Sequence, residues 1–129
     1  MRRDGIVNAR LASALAGLRH TDLFAISDSG FPTVAGDVVD LAVVYGLPEF
    51  APVLAAVLAE VVIDNATMAT ETEVNNPAQA QRLRSHLGDV AQVSHAELKA
   101  LAAGTKFVVR TGVATPYANV VLQAGVAFA

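Results

Sequence analysis

The chain has 129 residues, a formal net charge of −3 and no cysteine, which removes disulfides, thiolate metal sites and thiol nucleophiles together. With 12 Asp and Glu against 9 Lys and Arg, it lacks the positive field that nucleic acid would need. Its length suits one domain, and 53% hydrophobic residues with only 5% aromatics, at a mean hydropathy of +0.46, leave a surplus of small apolar Ala and Val surface that predicts a homo-oligomer.

The opening Met1-Arg2-Arg3-Asp4-Gly5 is basic but has no long apolar run behind it, so it does not read as a signal peptide. Asn8 precedes Leu11, Leu15 and Leu18, one face of a short helix that Asn8 caps and Gly17 loosens at its end. Leu23-Phe24-Ala25-Ile26 lies between Asp22 and Asp28-Ser29-Gly30-Phe31-Pro32, which predicts a buried strand with Asp28 at its carboxyl end. A second apolar run over 38–44, interrupted by Asp40, stops at Tyr45-Gly46-Leu47-Pro48.

Phe50, Val53, Leu54, Val57, Leu58 and Val61 keep helical spacing from about Glu49. The stretch 51–63 is the most apolar, but Glu60 breaks it and it is too short to span a bilayer, so no membrane partner and a cytoplasmic location are expected. Residues 61–70 turn strand-like, although Asn65 and Ala66 weaken the pattern. Asn76-Pro77 opens a polar helix that carries Arg82, Arg84 and His86 and ends near Gly88. Ser94-His95-Ala96-Glu97 has the capping-box form and starts a helix through Leu101 that stops at Gly104, after which 105–110 return to strand. Pro116-Tyr117-Ala118-Asn119 is a turn into the strand Val120-Val121-Leu122, and Gly125-Val126-Ala127-Phe128 closes the chain. Alternating strands and helices, with no repeat or linker, predict a single layered α/β domain over 1–129.

Most charged residues fall on helix faces, where solvation explains them. Two segments stand apart: His20-Thr21-Asp22 with Asp28 beyond the strand, and 116–119. An imidazole with a free pKa of about 6.5 suits proton transfer near neutrality. A bland explanation exists for each residue alone: His20 at a helix C-terminus, Asp28 as a turn-former, His95 exposed in its capping box, Tyr117 as a turn aromatic and Asn119 as a strand-edge amide. An extended strand would also hold His20 and Asp28 roughly 25 Å apart, unless the chain turns back or a neighbouring subunit supplies one of them. No His-x-x-x-His or Glu-x-x-His spacing and no Gly-rich phosphate loop appears, so no metal site is expected.

The segments Gly5-Ile6-Val7-Asn8, Leu18-Arg19-His20-Thr21-Asp22, Ile26-Ser27-Asp28-Ser29-Gly30-Phe31-Pro32, Val39-Asp40-Leu41-Ala42, Gly46-Leu47-Pro48-Glu49-Phe50, Ser94-His95-Ala96-Glu97-Leu98-Lys99, Arg110-Thr111-Gly112 and Pro116-Tyr117-Ala118-Asn119-Val120-Val121-Leu122 follow one another in an order and spacing that resemble the ribose pyranase family, with fucose mutarotases as its neighbours. The likeness runs over nearly the whole chain and is most specific at 116–122. It implies a cofactor-free isomerase that interconverts pyranose and furanose ribose, with His20 as the acid and Asp28, His95, Tyr117, Ala118 and Asn119 lining the sugar site. It also implies assembly as rings, often stacked into decamers, with sites near subunit contacts. Thr21 and Ser29-Gly30 lean towards ribose over fucose; a non-catalytic sugar-binding module is the other alternative. The sequence departs from the family in the loop Thr33-Val34-Ala35-Gly36-Asp37, which lacks a basic residue, and at Val38 or Val39, where the family has an arginine.

Overall fold

The Asn8 side chain accepts from the Leu11 N–H, and helix α1 runs Ala9–Ala16 with Gly17 at its end. In the computed structural model, which describes residues 1–33 and 37–128, the other elements follow as β1 (Leu23–Ser27), β2 (Asp37–Asp40), α2 (Phe50–Leu58), β3 (Ile63–Ala69), α3 (Thr70–Asn75), α4 (Pro77–Leu87), β4 (Ala91–Val93), α5 (His95–Ala103), β5 (Phe107–Arg110) and β6 (Val120–Ala124). The strands form one six-stranded sheet in the order β2-β5-β1-β6-β3-β4. Strand β6 runs antiparallel to both β1 and β3, while β1, β2 and β5 are mutually parallel and β3 pairs parallel with β4. Five strands therefore end at one edge of the sheet, where β6 begins.

The period of two in the strands divides the core between the two faces. Phe24, Ile26, Val109 and Leu122 face Leu11 and Leu15 of α1, Phe50, Val53, Leu54 and Val57 of α2, and Leu83 of α4. Ala25, Val108 and Val121 face Leu98 and Ala102 of α5 on the opposite side. The expected layered α/β architecture is therefore observed, with the larger core on the α1, α2 and α4 side. Each large side chain buried there contributes roughly 1.5–3 kcal/mol.

Side-chain caps also set the starts of α4 and α5: Asn76 accepts from Gln79 N and Ser94 Oγ accepts from Glu97 N. The apolar run 38–44 makes a strand only as far as Asp40, whose Oδ1 accepts from Ala42 N and turns the chain; Val43, Val44, Tyr45 and Leu47 are exposed. Residue 105 belongs to a turn, because its hydroxyl bonds back to Ala102 O, so β5 begins at Phe107. Elements α3 and β4 have no counterpart in the sequence expectations. Helix α3 is polar and β4 is three largely exposed residues, so neither carries a periodic apolar signal. The segment Val34-Ala35-Gly36, part of the loop that departs from the family pattern, lies outside the described residues. Among the described residues, no helix is long and apolar enough to cross a membrane.

Candidate active site

The edge where β1, β3 and β4 end and β6 begins gathers most of the candidate residues. Asp28 follows β1 and Asn119 precedes β6, and the Ile26–Val120 pairing sets them side by side. They exchange two hydrogen bonds: the Asp28 N–H donates to Asn119 Oδ1 at 2.9 Å, and Asn119 Nδ2 donates to Asp28 Oδ2 at 3.2 Å. Asn119 is buried, and these two bonds leave one Nδ2 hydrogen of its amide for a further partner. The other carboxylate oxygen accepts from the Gly30 N–H at 2.9 Å. Burial pushes the Asp28 carboxyl above its ordinary value of 3.8, an effect that the N–H of Gly30, the Asn119 amide, the N–H of Phe31 and the nearby His95 oppose.

His95, the first residue of α5, stands edge-on to Tyr117 with ring centroids 4.9 Å apart, and Phe31 closes its other side at 5.9 Å. It is not the exposed capping-box histidine of the bland reading, because these two rings enclose it. Its Nδ1 is buried without a hydrogen-bond partner among the described residues. Tyr117 adopts φ +56, a left-handed conformation unusual for an aromatic residue. Ala118 is buried in the larger core, so it presents its backbone rather than its side chain to the site. A carboxylate, an imidazole, a phenol and an amide-braced turn together make a surface of hydroxyl-binding groups without a strong positive charge.

His20 is not among them. It lies beyond the other end of β1, where its Nε2 pairs with Asp64 Oδ2 at 3.2 Å. Its bland reading also fails, since α1 ends at Ala16 and Gly17 supplies the cap. Three backbone features hold this pair. The pairing of β3 with β6 shifts register between Ile63 and Asn65, making Asp64 the extra residue of a bulge. Gly125 leaves room for the carboxylate, since a Cβ there would overlap Asp64 Oδ1. Thr21 is held at φ +73, costly for a β-branched residue, with its N–H bonded to Ala124 O at 2.9 Å. Asp22 completes the turn by accepting from the Arg19 N–H at 2.7 Å and from Lys106 Nζ at 3.0 Å.

The structure thus unites Asp28, His95, Tyr117, Ala118 and Asn119 and leaves His20 at the opposite end of the sheet. Sequence reasoning missed Asp64, which sits in a weakly patterned strand 44 residues from His20 and becomes visible only through the bulge. His86 bonds the Arg82 carbonyl of its own helix and lines one pocket with Asp64 without a hydrogen bond to it. Among the described residues, no cluster of three or more His, Asp or Glu could hold a metal ion.

Comparison with known proteins adds to this geometry. The RbsD / FucU transport protein family matches residues 1–127. D-ribose pyranase 1 of Rubrobacter xylanophilus is 50% identical over 129 residues, covering 99% of this chain and 100% of its own. The D-ribose pyranase of Streptomyces coelicolor is 46% identical over the same share of each. Among solved structures, Bacillus subtilis RbsD complexed with D-ribose superposes with a TM-score of 0.94 at 38% identity, over 99% of this chain and 100% of that one.

Proposed function

The chain belongs to the RbsD / FucU transport protein family, and on that premise we propose that it interconverts the pyranose and furanose forms of D-ribose by acid–base ring opening and reclosure. One observation carries the reading: hydroxyl-binding groups converge at one sheet edge in a chain half identical, end to end, to a D-ribose pyranase. A base takes the proton of the anomeric hydroxyl while an acid delivers one to the ring oxygen, and the bond between the anomeric carbon and the ring oxygen breaks. The free aldehyde is then attacked by a different hydroxyl, whose proton passes to the deprotonated acid, while the protonated base returns its proton to the carbonyl oxygen. Protons and electrons balance within the sugar, so the reaction asks for no metal or nucleotide. His20 is the acid, oriented by Asp64, and Asp28 or His95 is placed to accept. Tyr117, Asn119 and the Ala118 backbone hold the sugar.

A monosaccharide in the Asp28 cluster lies beyond reach of the His20 of its own chain. The active unit is therefore a homo-oligomer in which a neighbouring copy supplies His20 and Asp64, in a ring or stacked rings. This also covers the Ala- and Val-rich surface. No nucleic acid or membrane takes part, and the enzyme works in the cytoplasm as one domain. Saturation-transfer NMR on D-ribose tests the activity: the wild type accelerates exchange between pyranose and furanose anomeric signals and His20→Ala does not. No acceleration by the wild type would reject the reading and make L-fucose the next sugar to try, then binding without turnover. Co-assembly of His20→Ala with Asn119→Ala chains tests the shared site, because a mixed ring regains some intact sites and a site within one chain regains none.

A further inference from the structure

We infer that helix α3 sets the spacing of the sugar site, with Glu71 and Thr72 as positioning residues for His95 and Tyr117. The inference rests on the reading above that the Asp28 cluster binds the sugar. Neither residue belongs to that cluster. Each acts through the backbone of one that does.

Glu71 and Thr72 are consecutive, and they hold the two rings that face each other across 4.9 Å. Both carboxylate oxygens of Glu71 lie on the His95 N–H, at 3.0 and 3.1 Å. That N–H opens α5, where a negative charge is favourable and where the start of the helix determines the direction of the first side chain. Thr72 is fully buried and donates its hydroxyl proton to the Tyr117 carbonyl at 2.8 Å. Tyr117 is also in the left-handed region, at φ +56. A residue in such a conformation stays there only when its surroundings over-determine it. Asn76, directly after α3, adds a second restraint by donating to the Pro116 carbonyl at 2.8 Å.

The composition of α3 supports this role. In Thr70-Glu71-Thr72-Glu73-Val74-Asn75 the buried residue is Thr72, and Val74 is exposed. The helix has no apolar stripe to anchor it, so polar bonds hold its place: those to His95 and Tyr117, with Thr70 to the Val93 carbonyl and Glu73 to Arg84. It also continues β3 without a loop, which ties the two rings to the sheet rather than to a surface segment.

The test measures exchange against D-ribose concentration, together with NMR resonances of the free protein. Thr72→Val keeps the shape and removes the donor. We expect KM to rise about five- to tenfold with kcat held within about twofold, shifted Tyr117 resonances in the free protein, and recovery of KM and of the resonances in Thr72→Ser. Glu71→Ala should likewise raise KM and shift the His95 amide, and Glu71→Gln, which can still accept, should restore both. Folded Thr72→Val with wild-type KM and unchanged Tyr117 resonances overturns the inference. If Thr72→Val does not fold, Glu71→Ala decides by the same criteria at His95. If the wild type shows no ribose exchange, the function fails and the free-protein resonances judge the positioning role, which unchanged Tyr117 and His95 signals would overturn.

Discussion

At the edge where the strands end, Asp28 and the buried Asn119 brace each other through two hydrogen bonds, whereas at the opposite edge His20 and Asp64 meet with side chains 53% and 42% exposed. An exposed pair of this kind contributes only about 0–1 kcal/mol to stability. Yet a bulge, a glycine that leaves space and a strained threonine all serve it. The difference separates two kinds of design: one edge is held by buried polar bonds that also stabilise the fold, while the other tolerates backbone irregularity to aim two side chains. Loss of the Asn119 brace at the first should therefore change stability and KM together, and substitutions at the second should change kcat alone.

The largest effect that would sharpen this contrast is the loss of about 10²- to 10⁴-fold in kcat expected for His20→Ala, with the free energy of unfolding in urea within about 0.5 kcal/mol of wild type. A large drop in stability would break the contrast at once. Asp64→Asn should lower kcat about ten- to a hundredfold, as the loss of a charge-assisted hydrogen bond does. Gly125→Ala should reproduce that loss because its Cβ takes the space of the carboxylate. Saturation transfer with each variant at saturating ribose checks both, and an unchanged kcat in Asp64→Asn would show the pair to be incidental. At the other edge, Asn119→Ala leaves the Asp28 N–H without its acceptor and should cost about 1–3 kcal/mol in urea unfolding, a penalty that His20→Ala does not share.

The smallest effects are in pH. Asp28 has a carboxyl raised above 3.8 by burial, so the folded chain holds that proton more tightly than the unfolded chain does. Its contribution to stability falls as pH rises from 3.8 through the raised value, and is regained on acidification. Asp22, beside His20, is lowered below 3.8, first by the Arg19 N–H and then by Lys106. Its contribution is present above 3.8 and is lost as pH falls through the lowered value. Carboxyl ¹³C titration should find the Asp28 midpoint above 3.8 and that of Asp22 below it; the reverse order would remove the electrostatic part of the contrast.

Much of the fold could be read from local signals. Asn8, Asn76-Pro77 and Ser94 mark helix starts because a cap bonds an N–H only three residues away, the period of the apolar residues marks α1 and α2, and a bounded apolar run marks β1. The run 38–44 was read too far because hydropathy does not show that Asp40 bonds the next turn. At the site, residue types alone left Asp28, His95, Tyr117 and Asn119 with ordinary explanations, and the family resemblance was needed to single them out.

The sequence by itself determined the alternation of elements, the α/β class and the identity of the groups able to bind a sugar and move its protons. Only the tertiary structure decided which of those groups meet. Asp28 reaches Asn119 across 91 residues, His20 reaches Asp64 across 44, and His95 reaches Glu71 across 24. Those meetings are set by strand order, by one bulge and by a polar helix without periodicity, and local propensity carries no information about contacts made between distant strand ends.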